Sequence, residues 1–71
     1  MKLHYYPETD SLYIELRDVA SVETREVADG VNADFDDAGN VVGFDIDGAS
    51  GKLDLEALET RALPFASLKA A

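Results

Sequence analysis

The chain reads as an α+β protein that is mostly β, with an antiparallel hairpin, a three-stranded meander (about five strands in all) and a short C-terminal helix. Two observations lead there. Apolar and polar side chains alternate with period two through residues 1–16, 31–35 and 41–46, the signature of strands with one wet and one dry face. Between them stand Pro7-Glu8-Thr9-Asp10, Ala28-Asp29-Gly30 and Asp36-Asp37-Ala38-Gly39-Asn40, each dense in residues that turn a chain. Seventy-one residues make one small domain, organised as hairpin 1–16, meander 22–47 and helix with tail 53–71.

The first hairpin sets its own register. Pro7 fixes φ for a turn, and Asp10 and Ser11 favour one. A four-residue loop over 7–10 puts Tyr6 opposite Ser11, Tyr5 opposite Leu12, His4 opposite Tyr13, Leu3 opposite Ile14 and Lys2 opposite Glu15. Opposed residues share a face, so Met1, Leu3, Tyr5, Leu12, Ile14 and Leu16 collect on one side. Lys2, His4, Tyr6, Ser11, Tyr13 and Glu15 collect on the other, and a slip of one residue would scramble both.

Residues 17–21 connect to a third strand from about Val22 to Val27. Ala28-Asp29-Gly30 suits a three-residue loop with Gly30 left-handed and closing a bulge. That loop sets Val27 opposite Val31 and Arg25 opposite Ala33, with the arginine stem along the apolar face and its head in water. The alternative two-residue turn would bury Glu26, which is costly. At the next turn, Asp37 opposite Asn40 brings Phe35 to Val42, Ala33 to Phe44 and Val31 to Ile46, all on one face. Gly43 then lies across from Asp34, a place for close approach rather than side-chain contact. The first hairpin either joins this sheet or folds over it. Beyond Asp47-Gly48-Ala49-Ser50-Gly51, Asp54 can cap a helix with Leu55, Leu58 and Ala62 inward, and Pro64 stops it.

The string Tyr6-Pro7-Glu8-x-Asp10-x-Leu12-Tyr13-Ile14-x-Leu16, with Glu26-Val27-x-Asp29-Gly30-Val31 and Gly39-Asn40-Val41-Val42-Gly43, resembles the small prokaryotic domain-of-unknown-function 2283 family. The resemblance runs over roughly residues 3 to 60 and rests on hairpin and turn residues. Tyr6 stands where family members usually have Asp. The resemblance implies no activity and no catalytic residues; some relatives look like partners of small toxin-type proteins.

Fifteen acidic residues against six basic give a formal charge of −9, which argues against nucleic acid and anionic membranes as ligands and for a basic protein partner. Without cysteine there is no disulfide support, and a core of about a dozen apolar side chains is only marginally sufficient at this length. Self-association is therefore expected. No leader or spanning segment is visible, so the cytoplasm is the expected compartment.

Three constellations invite chemistry. Asp34-x-Asp36-Asp37-x-Gly39 through Asp45 has the outline of a calcium loop, but Ala38 falls where an oxygen ligand is needed, and a hairpin turn explains the stretch better. His4 with Tyr6, Tyr13 and Glu15 could supply an acid or base, yet one histidine without a nucleophile or a second ligand is thin, and aromatic cross-strand contact accounts for it. Asp34, Asp36, Asp37, Asp45 and Asp47 form an acidic cluster at one end of the meander, either a solvated face or a dock for a basic groove. The sequence thus predicts a protein-interaction module, with Asp34, Asp36, Asp37 and Asp45 toward a basic partner and Leu63, Phe65 and Leu68 toward a second copy. An antitoxin-like inhibitor is its sharpest form. The alternatives are a small-ligand-binding regulatory domain, with an apolar pocket between hairpin and meander, and an enzyme using His4 and the aspartates. The expectation is no enzyme, no cofactor and no metal.

Overall fold

A computed structural model describes residues 1–64 of the chain. Its elements are β1 (Lys2–Tyr6), β2 (Ser11–Glu15), β3 (Glu23–Ala28), β4 (Val31–Phe35), β5 (Val41–Asp47) and α1 (Ala49–Lys52). All five strands form one antiparallel sheet in the order β1-β2-β5-β4-β3. The first hairpin joins the meander edge to edge through β2 and β5, with Leu12 opposite Ile46 and Ile14 opposite Phe44. This register aligns the dry faces of both units, because opposed residues share a side of the sheet.

Within β1 and β2 the pairing is the expected one, from Lys2–Glu15 to Tyr6–Ser11. Asp10 closes that turn at φ 52°, a left-handed conformation that aspartate tolerates better than most residues. Arg25 faces Ala33 as expected, and its guanidinium lies 3.8 Å from the Phe35 ring centre while ion-pairing Glu23 at 3.1 Å. The arginine thereby covers the far end of the apolar face without losing solvent.

Two registers differ by one residue from the sequence reading. Ala28 rather than Val27 faces Val31, and the irregularity falls between Glu26 and Ala28, leaving Val27 as the extra, exposed residue. Gly30 is left-handed at φ 71°, so the bulge is present but sits inside β3. Likewise Phe35 faces Val41 rather than Val42, with a shift between Asp34 and Phe35. Leu16 and Arg17 both donate their amides to the Val42 carbonyl, and Val22 donates to that of Phe35. The connection from β2 to β3 thus starts by continuing the β2–β5 ladder and ends hydrogen-bonded to β4.

The helix also falls elsewhere. Asp54 caps nothing: α1 occupies Ala49–Lys52, and no helix follows it through Pro64. An amphipathic helix of nine residues over 54–62 is marginal alone, and a sheet face can take leucines from an extended chain as well as from a helix. Leu53 leaves α1 in extended geometry and lies half-buried against Leu12, Ile46 and Ala49.

The buried apolar residues among those described are Leu12, Ala33, Val42, Ile46 and Ala49, with Ile14, Val31 and Leu53 half-buried against them, fewer than the dozen expected. Leu3 and Tyr5 lie on the dry face yet each keeps 41 % of its surface in water. The pattern of alternation is right, but residues 53–58, which flank that face, leave its β1 end partly open.

Candidate functional site

The two faces of the sheet offer different chemistry. On the polar face, Tyr13 swings across β5 so that its hydroxyl donates to Asp34 Oδ2 at 2.9 Å, and Thr24 donates to Asp34 Oδ1 at 2.5 Å. Gly43 makes this possible. A Cβ there would stand 2.3 Å from the tyrosine oxygen and 2.8 Å from Cζ, so glycine opens the lane along which the ring lies. Burial, reinforced by the bond to Asp34, pushes the Tyr13 hydroxyl above its ordinary range. The site works as a cross-sheet tie from β2 through β4 to β3.

The sequence-predicted acidic residues divide between different tasks. Asp34 is engaged by Tyr13 and Thr24. The Asp36 carboxylate accepts the amides of Asn40 at 2.8 Å and Ala38 at 3.0 Å, and lies 3.8 Å from Arg17. Those bonds, the Asn40 amide foremost, hold its carboxyl below the usual carboxylate range. Asp37 is exposed in the same turn. Asp45 sits on β5 between Asn32 and Tyr13; burial, then Asp47 and Asp34, push its carboxyl up. The expected cluster at one end does not form. Asp36 and Asp37 lie beside Val41, Asp47 lies at the other end of β5, and seven strand residues separate the two ends by roughly 20 Å. Among the described residues no group of three or more histidines, cysteines or acids is placed to hold a metal ion.

His4 is on the polar face with Tyr6, Tyr13 and Glu15, as read from the sequence, but the four do not converge. His4 stacks on Tyr6 with ring centres 4.2 Å apart, along one strand rather than across two. Tyr13 is drawn to Asp34, and Glu15 lies 3.8 Å from Lys2. A shallow hollow of about 310 Å³ opens beside them, lined by Tyr6, Thr9, Ser11, Tyr13 and Asp45.

On the apolar face a wider groove of about 850 Å³ runs between the first hairpin and residues 53–58. Leu3, Leu12 and Ile14 form its floor, and Leu53, Leu55 and Leu58 its outer wall, with Asp54 and Glu56 along the rim. The second wall is the segment after α1 and not the meander. Leu63, expected at a self-association contact, is 43 % exposed; Phe65 and Leu68, expected there with it, lie outside the described residues.

Asp10 holds the groove's end together and was legible only as a turn residue. Its carboxylate accepts from Tyr5 Oη at 2.7 Å, Ser50 Oγ at 2.7 Å and the Ser50 amide at 3.1 Å, while its carbonyl accepts the Ala49 amide at 2.8 Å. The cap position itself is Gly48, left-handed and without a side-chain cap, so one residue of the first turn satisfies from outside the amides that begin the helix. The Ser50 and Tyr5 bonds hold the Asp10 carboxyl below its ordinary range. A contact forty positions away in sequence leaves no local signal, although the string Asp10-Ser11 after a loop did mark the position.

The family model described as "protein of unknown function (DUF2283)" matches residues 2–50, well over half of the chain. The chain belongs to the DUF2283 family. The match takes in all five strands, the Tyr13–Asp34–Thr24 tie and both ends of the Asp10–Ser50 contact, so these are features of the DUF2283 portion. Leu53 to Leu58, the outer wall of the groove, follow it. No curated protein and no solved structure matches the chain.

Proposed function

We propose that this DUF2283 protein is a small acidic interaction module that self-associates and binds a basic protein partner, acting by occupancy rather than by turnover and without a cofactor. The observation that carries the reading is the unfinished apolar side. Leu3, Tyr5, Leu55 and Leu58 are all at least 40 % exposed around one groove, and clustered apolar exposure on so small a protein is characteristic of an interface. The formal charge of −9 adds the preference for a cationic partner, through steering as well as contact. Asp37 and Asp45 are available for that contact, whereas Asp34 and Asp36 are held by internal hydrogen bonds.

The sharpest form of the proposal is an antitoxin-like inhibitor in the cytoplasm that covers the basic site of a small toxic protein. Sedimentation over a concentration series tests the first half, with a dimer mass expected. Co-expression with the product of the neighbouring gene tests the second: rescue of growth is expected, and a harmless neighbour that the protein does not bind would remove the inhibitor reading.

The groove also supports a second reading, a regulatory domain for a small apolar ligand. A metabolite screen by thermal shift separates the two, because a ligand that binds the folded state raises the melting temperature.

A further inference from the structure

A single sheet has two edges, and in this protein they are unlike. β3 is defended in the usual ways: it carries Glu23, Arg25 and Glu26, and the irregularity at Val27 breaks its ladder. β1, Lys-Leu-His-Tyr-Tyr, has neither an irregularity nor a proline, and all five of its residues are exposed. It is also the one strand of the five without a carboxylate, in a protein of formal charge −9. Two copies approaching through any other strand bring acid toward acid. Through β1 they do not.

We propose that β1 is the self-association edge, where a second copy of this chain adds its own β1 antiparallel to form a continuous ten-stranded sheet about a two-fold axis; this rests on the self-association reading above. The register follows from the pleat. Opposed residues share a face, so only pairings whose residue numbers sum to an even total keep both dry faces on one side. Among these, the pairing centred on His4 engages the whole strand: Lys2 with Tyr6 of the second copy, Leu3 with Tyr5, and His4 with His4. The Leu3–Tyr5 pairs come twice, on the dry side, and cover the two β1 residues that a single copy leaves 41 % exposed. Lys2 meets an aromatic ring on the wet side, a favourable contact for a cation. The groove floored by Leu3, Leu12 and Ile14 then continues across the axis into its counterpart.

The chain has no cysteine, so single substitutions report the edge directly. His4→Cys is placed at the two-fold, and Glu26→Cys is the control on the same face at the other edge. Each is treated with a short bis-maleimide at a concentration where the wild-type mass is dimeric. His4→Cys is expected to cross-link on the order of a hundredfold faster than Glu26→Cys, because association raises the local thiol concentration. Tyr5→Lys, with unchanged circular dichroism, is expected to sediment as a monomer. Equal or faster cross-linking of Glu26→Cys in a dimeric protein, or a dimeric Tyr5→Lys, overturns the β1 edge and leaves self-association standing. A wild-type mass that is monomeric at every concentration overturns both.

Discussion

The polar face of this sheet is more finished than its apolar face. On the wet side, Tyr13, Asp34 and Thr24 form a chain of hydrogen bonds over three strands, fitted around a glycine. On the dry side the strands nearest β5 are covered, and β1 is not. The usual assignment, in which a dry face makes the core and a wet face is merely solvated, is only half true here. Shape and specificity sit on the wet side, and the dry side is free to receive something.

The largest expected effect probes the wet side at Gly43. Gly43→Val drives a Cβ into the Tyr13 ring and within 3.2 Å of the Ile14 carbonyl, and is expected to cost about 2–3 kcal/mol in urea unfolding. In the pair Gly43→Ala and Tyr13→Ala, the double variant should lose less than the sum of the singles, since the second change removes the obstacle; additive losses would mean that the ring does not occupy the lane. Next, Tyr13→Phe deletes the donor to Asp34 and is expected to cost about 1 kcal/mol. The dry side should behave otherwise. Leu58→Ser, at 65 % exposed, is expected to change stability by less than about 0.5 kcal/mol, measured below the association concentration.

That contrast also marks what the sequence could and could not reveal. Period-two alternation and the loop residues were enough for the hairpin register, for Val31–Ile46 and Ala33–Phe44, and for the close approach at Gly43, because each depends on neighbours along a strand. They could not reveal the partner of Gly43, since the ring comes from another hairpin. The two shifted registers, at Val27 and Phe35, are places where one strand carries an extra residue against its neighbour, which no alternation encodes. The helix was misplaced because Asp54 looks like a cap locally, while α1 starts after Gly48 and its first amides are satisfied by Asp10 from the first turn. Alternation also says which side is dry, not how much of it is covered, and so the core among the described residues is smaller than expected. For the site, residue type separated Asp34 from Asp36 in nothing, yet one ties strands and the other closes a turn.

The smallest effects are electrostatic. Asp45 has its carboxyl raised by burial, Asp47 and Asp34, so Asp45→Asn is expected to stabilise by about 0.5 kcal/mol near neutral pH through relief of like charge. The sign with pH follows. Protonation of Asp45, beginning above the ordinary aspartate range, first raises stability as pH falls. Asp10 and Asp36 have lowered values, so their contribution is complete above the ordinary aspartate range and is lost as pH falls through their depressed values. The midpoint of urea unfolding should therefore rise slightly and then fall on acidification, and Asp10→Asn should flatten the fall.

Amide hydrogen exchange followed by dilution tests most directly whether a second copy completes the dry side at β1. In concentrated solution the amides of Lys2–Tyr6 should exchange more slowly than in dilute solution, while those of Glu23–Ala28 exchange alike in both. Protection of β1 that is the same at every concentration, or a gain of protection in β3 instead, would contradict the account.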